Sequence, residues 1–307
     1  MMGKRQSIGK WKAFQRKALR QKYLMVMVLP GLVWYILFKY LPMLGLGLAF
    51  TDYGFKAKVS FIGFENFHRL LTSAVFWKAF RNTLVISMLN ILFYFPMPLI
   101  IALLINELKS FRAKKTIQFL IYIPYFFSWV VVGSIFVNLL SPTSGPVNAF
   151  LGLFGVEPIY FMASAKHFRS VIVTSYIWRQ MGYGAVIYIA ALTTIEPQLY
   201  EAATIDGAGR WGQLWNITLP SMRPTIVTML LLNLAHVLMI FEQILVMYNS
   251  AVYDVADVLQ TYVYREGILS GDMGYSIAVG MFTSVISLIL VLSTNKISAR
   301  FLEEPIL

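Results

Sequence analysis

The sequence contains no cysteine and few charged residues, and each deficit excludes a class of protein. Without cysteine there can be no disulfide, no thiolate metal site and no cysteine nucleophile. Charged residues make up 13% of the 307 positions, about half the share that is typical of a soluble domain. The three histidines, His68, His167 and His236, are far apart in the sequence. We therefore expect no metal site.

Apolar residues take the place of the missing charges, because 58% of the chain is hydrophobic and the mean hydropathy is +0.67. They form continuous runs of about 20 residues, the length that a membrane-spanning helix needs. The runs do not alternate as a transmembrane barrel strand would, so the predicted fold class is an all-α integral membrane protein. Six transmembrane helices are predicted, at about 23–50, 83–106, 116–140, 169–192, 223–247 and 274–295.

The predicted organisation has one membrane domain and no second soluble domain. Its parts are a basic cytoplasmic tail (1–22), the first transmembrane helix (23–50), an extracytoplasmic segment (51–82), a core domain (83–296) and a cytoplasmic C-terminal tail (297–307). The first apolar run is longer than a signal peptide and is not followed by a small-residue cleavage site, so we interpret it as a membrane anchor.

Basic residues predict the orientation. If the N-terminus is cytoplasmic, sixteen lysines and arginines fall on the inner side and nine on the outer side, as the positive-inside rule requires. The net charge of +12 and the pI of 9.7 are explained by the basic residues on the inner side of the membrane, which also suit contact with anionic lipid headgroups. No nucleic-acid partner is therefore expected. The prediction is a multi-pass protein of the cell inner membrane with both termini in the cytoplasm.

The polar segment 193–222, between two apolar runs, carries the most specific motif. Its pattern is Glu-Ala-Ala, three residues, glycine, nine residues and then Ile-x-Leu-Pro. The positions of interest are Glu201, Ala202, Ala203, Asp206, Gly207, Ile217, Leu219 and Pro220. An ordinary re-entry loop rich in turn-forming residues is the alternative interpretation, but it does not require both spacings to match.

Local chemistry predicts a short helix over about 197–206 in this segment. Pro197 suits the first turn of a helix, where its missing N–H is not needed. Ala202 and Ala203 favour helix and leave a helix surface without large side chains. Gly207 is well suited to a left-handed C-cap. We expect a second short helix from about 210 to 215 and the entry to the fifth span at Pro220 and Pro224.

This motif resembles the coupling loop of permease subunits of ATP-binding-cassette importers of the type I architecture. Three further tracts, at 38–43, 122–129 and 257–265, resemble the subgroup that imports complex oligosaccharides. The resemblance implies a second, non-identical permease subunit, two ATPase subunits and an extracytoplasmic solute-binding protein. It also implies that the loop inserts into a cleft on the ATPase and couples nucleotide-driven closure to the membrane helices.

The chain itself is not predicted to be an enzyme or to bind a cofactor. A phosphate-binding loop requires G-x-x-x-x-G-K-[ST], and the nearest segment, Gly3 to Trp11, has the wrong spacer and a tryptophan in the Ser/Thr position. The resemblance implies that ATP and magnesium are bound by the partner ATPase subunits.

Polar and aromatic residues within the spans are candidates for the solute pathway, since such groups usually face the bundle interior or a water-filled path. The candidates are Trp178, Arg179, Tyr183, Tyr188, Asn233, His236, Glu242 and Gln243. Aromatic faces suit the apolar C–H faces of sugar rings, and Arg179 suits a substrate carboxylate. An internal ion pair between Arg179 and Glu242 explains these two residues equally well. Asn233 and His236 also suit hydrogen bonds between helices.

The prediction is a permease subunit that forms half of the pathway of an ATP-driven importer for a sugar or oligosaccharide, including acidic, polysaccharide-derived ones. A permease of the same architecture for an amino acid or peptide is the alternative within transport. A secondary transporter would show inverted repeats with paired broken helices, which the sequence lacks. A membrane enzyme would need converging acidic or histidine groups, and the spans offer only His236 and Glu242.

Overall fold

The structure, a computed structural model, describes residues 21–55 and 58–302, with side chains as far as residue 296. The described part contains helices and one isolated β-bridge, between Thr51 and Phe61. The predicted all-α fold class is confirmed.

Of the predicted tails, residues 1–20 and 303–307 lie outside the described part. The helices are α1 Lys22–Phe50, α2 Glu65–Thr72, α3 Ala74–Asn106, α4 Phe111–Phe126, α5 Trp129–Leu139, α6 Pro146–Gly152, α7 Ala165–Leu192, α8 Pro197–Ile205, α9 Arg210–His236, α10 Glu242–Met247, α11 Leu259–Tyr264 and α12 Met273–Leu302. Short helical turns also cover Ser250–Val252, Tyr253–Ala256 and Arg265–Leu269.

Fewer helices than predicted meet the length and hydropathy of a membrane span on their own. In the described part these are α1, α3, α9 and α12, and the bent pair of α4 and α5 makes a fifth if it is one span. Helix α7 has 28 residues and is about 42 Å long at 1.5 Å per residue. Arg169, Arg179 and Gln180 make it more polar than the others.

Helix α1 is an apolar helix that packs on the rest of the protein only at its C-terminal end. Its side chains from Lys22 to Met43 are not buried, and its last turns contact α12. The amide nitrogen of Asn66 donates to the Ala49 carbonyl at 2.8 Å and to the Thr51 carbonyl at 2.9 Å. These bonds attach the end of α1 to α2.

Helix α3 begins nine residues before the predicted second span, because Ser73 caps it. The Ser73 hydroxyl accepts a hydrogen bond from the Phe76 N–H at 3.2 Å, as an N-cap residue does. The helix then continues past Pro96 and Pro98 without a break. A wider π turn at Asn90–Tyr94 precedes these prolines, and such turns accommodate a lost backbone hydrogen bond.

The predicted continuous third span, about 116–140, is wrong. Helices α4 and α5 meet at an angle of 102°. Pro124 has no N–H to donate, and Ser128 starts the second helix by accepting from the Val131 N–H at 3.4 Å. The Phe127 carbonyl at the bend accepts from Nε of Arg179 at 2.8 Å. A side chain of α7 therefore supplies the bond that the interrupted helix cannot make.

The predicted fifth span, about 223–247, is also wrong as one helix. Helix α9 ends at His236, and α10 starts only at Glu242. The Ser87 hydroxyl of α3 donates to the Val237 carbonyl at this break, which satisfies an acceptor that a continuous helix would have used. At the other end, the expected short helix 210–215 is not separate, because α9 runs from Arg210 through the proline positions without interruption.

Helix α7 lies at the centre of the molecule, where two glycines allow other helices to approach closely. A Cβ on Gly182 would lie 2.1 Å from the Ile121 carbonyl oxygen of α4, and one on Gly184 would lie 2.8 Å from the Pro98 ring of α3. The two glycines are two positions apart, about 200° around the helix axis, so the bend between α4 and α5 and the proline region of α3 pack on different faces of α7.

Candidate functional site

The first part of the candidate site is helix α8, which carries the Glu-Ala-Ala motif. It begins at Pro197, directly after the extended residue Glu196, and ends at Ile205. The predicted short helix is thus present. Gly207 has φ +79°, which is the left-handed conformation expected of a C-cap glycine.

The end of α8 is a Schellman motif. The Ala208 N–H donates to the Ala203 carbonyl at 2.8 Å, and the Gly207 N–H donates to the Thr204 carbonyl at 3.1 Å. This pair of bonds requires a left-handed residue at position 207, where a side chain costs about 1–2 kcal/mol. Apart from its chain neighbours, no described residue has an atom within 4 Å of a Cβ built on Gly207. Its role is therefore to set the backbone direction and to leave the surface clear.

The outer surface of α8 and of the first turns of α9 is unusually apolar and unpaired. The exposed fraction is 86% for Ile205, 75% for Trp211 and 64% for Trp215. Glu201 and Ala202 are also exposed, and Glu201 forms no ion pair with any residue that the structure describes. Exposed apolar side chains in such a cluster indicate an interaction surface.

The second half of the motif fixes α8 against α9. The hydroxyls of Tyr200 and Thr218 are 2.9 Å apart, and Nε2 of Gln213 donates to the Thr204 hydroxyl at 2.9 Å. Thr218 is buried between the motif residues Ile217 and Leu219. The exposed Pro220 follows in the same helix.

Tyr200, Gln213 and Thr218 were not predicted from the sequence, because Tyr200 precedes the motif and the other two occupy positions that the pattern leaves unspecified. Only their polar character, in a segment already suspected of being a coupling element, could have indicated them. The ion pair between Arg210 and Glu107, at 3.4 Å, additionally connects the start of α9 to the loop after α3.

The second part of the candidate site is a cavity of about 320 Å³ within the helix bundle, formed by α3, α7, α9 and the break after α9. We call it the central cavity. Its lining residues are Ser87, Asn90, Ile91, Tyr94, Phe95, Tyr176, Gln180, Tyr183, Ile187, Met229, Leu232, Asn233, His236, Val237 and Ile240. The lining has hydroxyl, amide, imidazole and aromatic groups but no carboxylate, lysine or arginine. It suits an uncharged surface with hydroxyl groups.

Three predicted pathway residues, Tyr183, Asn233 and His236, lie together in the central cavity. The amide nitrogen of Asn233 donates to the Met229 carbonyl at 2.7 Å. Nδ1 of His236 lies 3.0 Å from the Leu232 carbonyl, which can only accept, so Nδ1 carries a proton. These bonds leave Oδ1 of Asn233 and Nε2 of His236 available to a ligand.

Asn90 is a cavity residue that was not among the predicted pathway residues. Its side chain is 7% exposed, and its Oδ1 atom has no hydrogen-bond partner in the described part. An unpaired buried carbonyl oxygen is costly, which makes it a natural acceptor for a ligand hydroxyl. A polar residue within an apolar span was the available signal.

Beside the cavity, aromatic rings form a stack, and Arg179 lies against its middle ring, Tyr125, at 5.6 Å. The ring of Tyr183 lies on Tyr125 at 4.6 Å between centroids, and Tyr125 lies on Tyr122 at 5.7 Å. The guanidinium of Arg179 lies 4.7 Å from the centre of the Trp129 ring, within the range of a cation–π contact.

The expected alternative pairing of Arg179 with Glu242 is absent. Glu242 is exposed, and within the described part Arg179 has no carboxylate within ion-pair distance. Its bond to the Phe127 carbonyl uses Nε and leaves the terminal nitrogens of the guanidinium without a hydrogen-bond partner among the described residues.

The remaining candidates lie outside the central cavity. Trp178 packs on Phe136 at 5.9 Å between ring centroids, and Tyr188 is buried in another cluster. Gln243 is buried and donates to the Ile172 carbonyl at 2.7 Å and to the Ser175 hydroxyl at 2.8 Å. These three side chains pack between helices, and the Tyr188 hydroxyl and Gln243 Oε1 are buried without a hydrogen-bond partner in the described part. The described residues contain no cluster of acidic or histidine side chains that could hold a metal ion.

Comparison with known proteins identifies the family of this architecture. Residues 71–303 match the family described as binding-protein-dependent transport system inner membrane component. The chain belongs to this family. It is therefore a permease component of a transport system, and the family match includes both α8 and the central cavity.

Relatives of this permease include a polysaccharide transport protein. The polygalacturonan/rhamnogalacturonan transport system permease protein YteP of Bacillus subtilis is 42% identical over 94% of this chain and 92% of its own length. Protein LplB of the same organism is 41% identical over 96% of this chain and 94% of its own.

Two solved structures share the fold of this permease. One is a bacterial ABC transporter involved in the import of the acidic polysaccharide alginate, with a TM-score of 0.87 and 39% identity over 94% of this chain and 99% of the other. The other is a bacterial alginate ABC transporter in complex with an alginate pentasaccharide-bound periplasmic protein, with a TM-score of 0.88 and 39% identity over 95% and 99% of the two chains.

Proposed function

We propose that this permease forms half of the translocation pathway of an ATP-driven importer. A second, non-identical permease subunit supplies the other half, two separate ATPase subunits bind ATP and magnesium, and an extracytoplasmic binding protein delivers the solute. The complex lies in the cell inner membrane with both termini of this chain in the cytoplasm. The chain itself is not an enzyme.

The exposed surface of α8 and of the first turns of α9, which we call the coupling surface, is the feature that carries this proposal. Helix α8 has no buried side chain, is closed by a Schellman motif and is followed by the exposed Trp211 and Trp215. A short helix without buried side chains does not hold its place through a core of its own, so its bonds to α9 position it for a partner. In this proposal Glu201, Ala202, Ala203, Asp206, Gly207, Ile217, Leu219 and Pro220 form or support the contact with the ATPase.

The transported solute is an oligosaccharide derived from an acidic polysaccharide. The names of the relatives support this substrate class. The chemistry of the pathway agrees with it, because the neutral polar lining of the central cavity suits hydroxyl groups and the Tyr122–Tyr125–Tyr183 stack suits sugar faces. Arg179 is the cation available to a uronate carboxylate.

We divide the predicted pathway residues by their position. Tyr183, Asn233 and His236 contact the solute directly, together with Asn90. Arg179 binds the carboxylate of the solute beside the aromatic stack. Trp178, Tyr188, Glu242 and Gln243 affect the solute only through the packing or the surface of the helices that carry them.

Co-purification tests the coupling proposal. Tagged wild-type chain and a Gly207→Asp variant are each co-expressed with the neighbouring ATPase and permease genes. Gly155→Asp is the matched control, because Gly155 also has a left-handed backbone, φ +77°, and open surroundings. It precedes α7 in the chain, whereas Gly207 follows that helix.

We expect the ATPase to co-purify with wild type and with Gly155→Asp, and at least tenfold less with Gly207→Asp. Equal loss in both variants would indicate a general folding defect from left-handed strain. Absence of the ATPase from a well-folded wild-type preparation would contradict the importer proposal and favour a transporter that works without ATP.

A further inference from the structure

A second cavity, of about 410 Å³, lies at the same end of the molecule as the coupling helix. Its walls are the end of α3, the start of α4 and the end of α7. The lining residues are Ile105, Asn106, Phe111, Lys114, Lys115, Gln118, Ile189 and Thr193. The ion pair of Glu107 with Arg210 places this basic cavity, as we call it, beside the first turn of α9.

The charge of the basic cavity is positive and not neutralised. Lys114 donates from Nζ to the Asn106 carbonyl at 2.8 Å, which holds its ammonium at the cavity wall. Lys115 has no ion-pair or hydrogen-bond partner among the described residues. No carboxylate lines the cavity, and the nearest acid in sequence, Glu107, pairs with Arg210 instead. The site therefore favours an anion.

The helix that carries these lysines also presents apolar side chains beyond the cavity. The exposed fraction is 78% for Phe111, 66% for Phe119 and 57% for Leu120. Phe111 lies at the cavity itself, and the other two are about two turns farther along α4. A ligand with a phosphate at one end and a hydrocarbon chain at the other would match both features.

We propose that the basic cavity binds the phosphate headgroup of an anionic glycerophospholipid in the membrane leaflet on the coupling side. The ammonium groups of Lys114 and Lys115 contact the phosphate, and the acyl chains run along the exposed face of α4. Basic pockets between membrane helices on this side of a bilayer are suited to such headgroups. A soluble phosphate would use the lysines but would gain nothing from Phe119 and Leu120.

Lipid retention by the purified chain tests this proposal. The chain is extracted in detergent, mixed with phosphatidylglycerol or phosphatidylcholine, and analysed by native mass spectrometry for bound lipid. The variants are Lys115→Gln and the double variant Lys114→Gln/Lys115→Gln. The matched control is Lys296→Gln, which removes another exposed lysine, near the end of α12. Inorganic phosphate at millimolar concentration is added in a parallel series.

We expect wild type and Lys296→Gln to retain phosphatidylglycerol over phosphatidylcholine, with retention falling about fivefold for each cavity lysine removed. Equal retention by the double variant and the control would overturn the proposal. Displacement of the lipid by millimolar phosphate would instead indicate a site for a soluble anion, which also overturns it. The Lys115→Gln variant keeps the test valid if loss of the Lys114 bond disturbs folding, because Lys115 has no hydrogen-bond or ion-pair partner among the described residues.

Discussion

At the scale of single residues, the polar side chains of the bundle differ in where their unpaired groups lie. Gln243 directs both of its donors to α7, and its Oε1 is buried without a partner among the described residues, away from the central cavity. Asn233 and His236 use one group on their own helix and retain another at the central cavity. Both kinds look the same in a sequence, which is why all three were predicted together as pathway residues.

Asn233 permits a matched comparison, because Asn138 makes the same bond to the carbonyl four residues earlier, at 3.0 Å, but is exposed on α5 away from the cavity. We expect Asn233→Leu to reduce the rate of solute uptake by about two- to tenfold, the equivalent of one lost hydrogen bond. Asn138→Leu should change it by less than twofold. Uptake of labelled oligosaccharide into proteoliposomes containing the whole transporter measures both, and equal effects would exclude a direct contact for Asn233.

Arg179 offers a test of charge selection. The Nε of Arg179 donates to the Phe127 carbonyl, and its terminal nitrogens are unpaired among the described residues. The Arg179→Lys variant keeps the positive charge but loses the planar guanidinium. We expect Arg179→Met to raise the KM for an oligogalacturonate at least tenfold and Arg179→Lys to raise it less. A neutral oligosaccharide of the same length is the control substrate. If the KM for both substrates rises equally, Arg179 only braces the bend between α4 and α5.

At the scale of helices, the sequence located the apolar runs but did not predict where helices begin within them or where they break. The apolar run at 116–140 contains a bend of 102°, since Pro124 and Ser128 act together with Arg179, which is distant in sequence. The run at 223–247 breaks after His236 because Ser87 of another helix bonds the Val237 carbonyl. Such breaks depend on tertiary partners, and periodicity within one segment carries no information about them.

Helix α8 was predictable for the opposite reason. Pro197 at its start and Gly207 after its end are local signals, and the hydrogen bonds that cap it involve only its own last turn and the three residues after it. The central cavity was half predictable, since Tyr183, Asn233 and His236 were candidates, whereas Asn90 and Ser87 became evident only when α3 was placed against α9.

Close packing of α7 on the bend predicts a stability effect. We expect Gly182→Ala to lower the free energy of unfolding by about 1–3 kcal/mol, the usual cost of overpacking, because the new methyl group would meet the Ile121 carbonyl. Gly280→Ala, in α12, is the control, as its Cβ has no neighbour within 4 Å and alanine favours helix. Thermal unfolding in detergent, followed by tryptophan fluorescence, measures both. An unchanged midpoint for Gly182→Ala would contradict the described contact.

At the scale of the whole molecule, the proposed orientation places α8 in the cytoplasm and the segment before α7 outside. The absence of cysteine allows single cysteines to report on each side. Leu153 and Ile205 suit this purpose, because their exposed fractions are 80% and 86% and they lie at opposite ends of α7.

We expect a membrane-impermeant maleimide to label Leu153→Cys in intact spheroplasts and Ile205→Cys only after lysis. Wild type should remain unlabelled under both conditions. Labelling of Ile205→Cys before lysis, with Leu153→Cys protected, would reverse the orientation and remove α8 from the compartment that contains the ATPase.

The unbroken course of α9 has a mechanical consequence. The helix holds Arg210 beside the coupling surface and Asn233 in the wall of the central cavity, about 35 Å apart at 1.5 Å per residue. Because Tyr200 bonds to Thr218, α8 and α9 move as a single lever. A tilt of ten degrees displaces one end of that length by about 6 Å relative to the other. The non-helical residues 237–241 adjoin the cavity end, so a hinge there keeps the cavity wall nearly in place and gives the large displacement to α8.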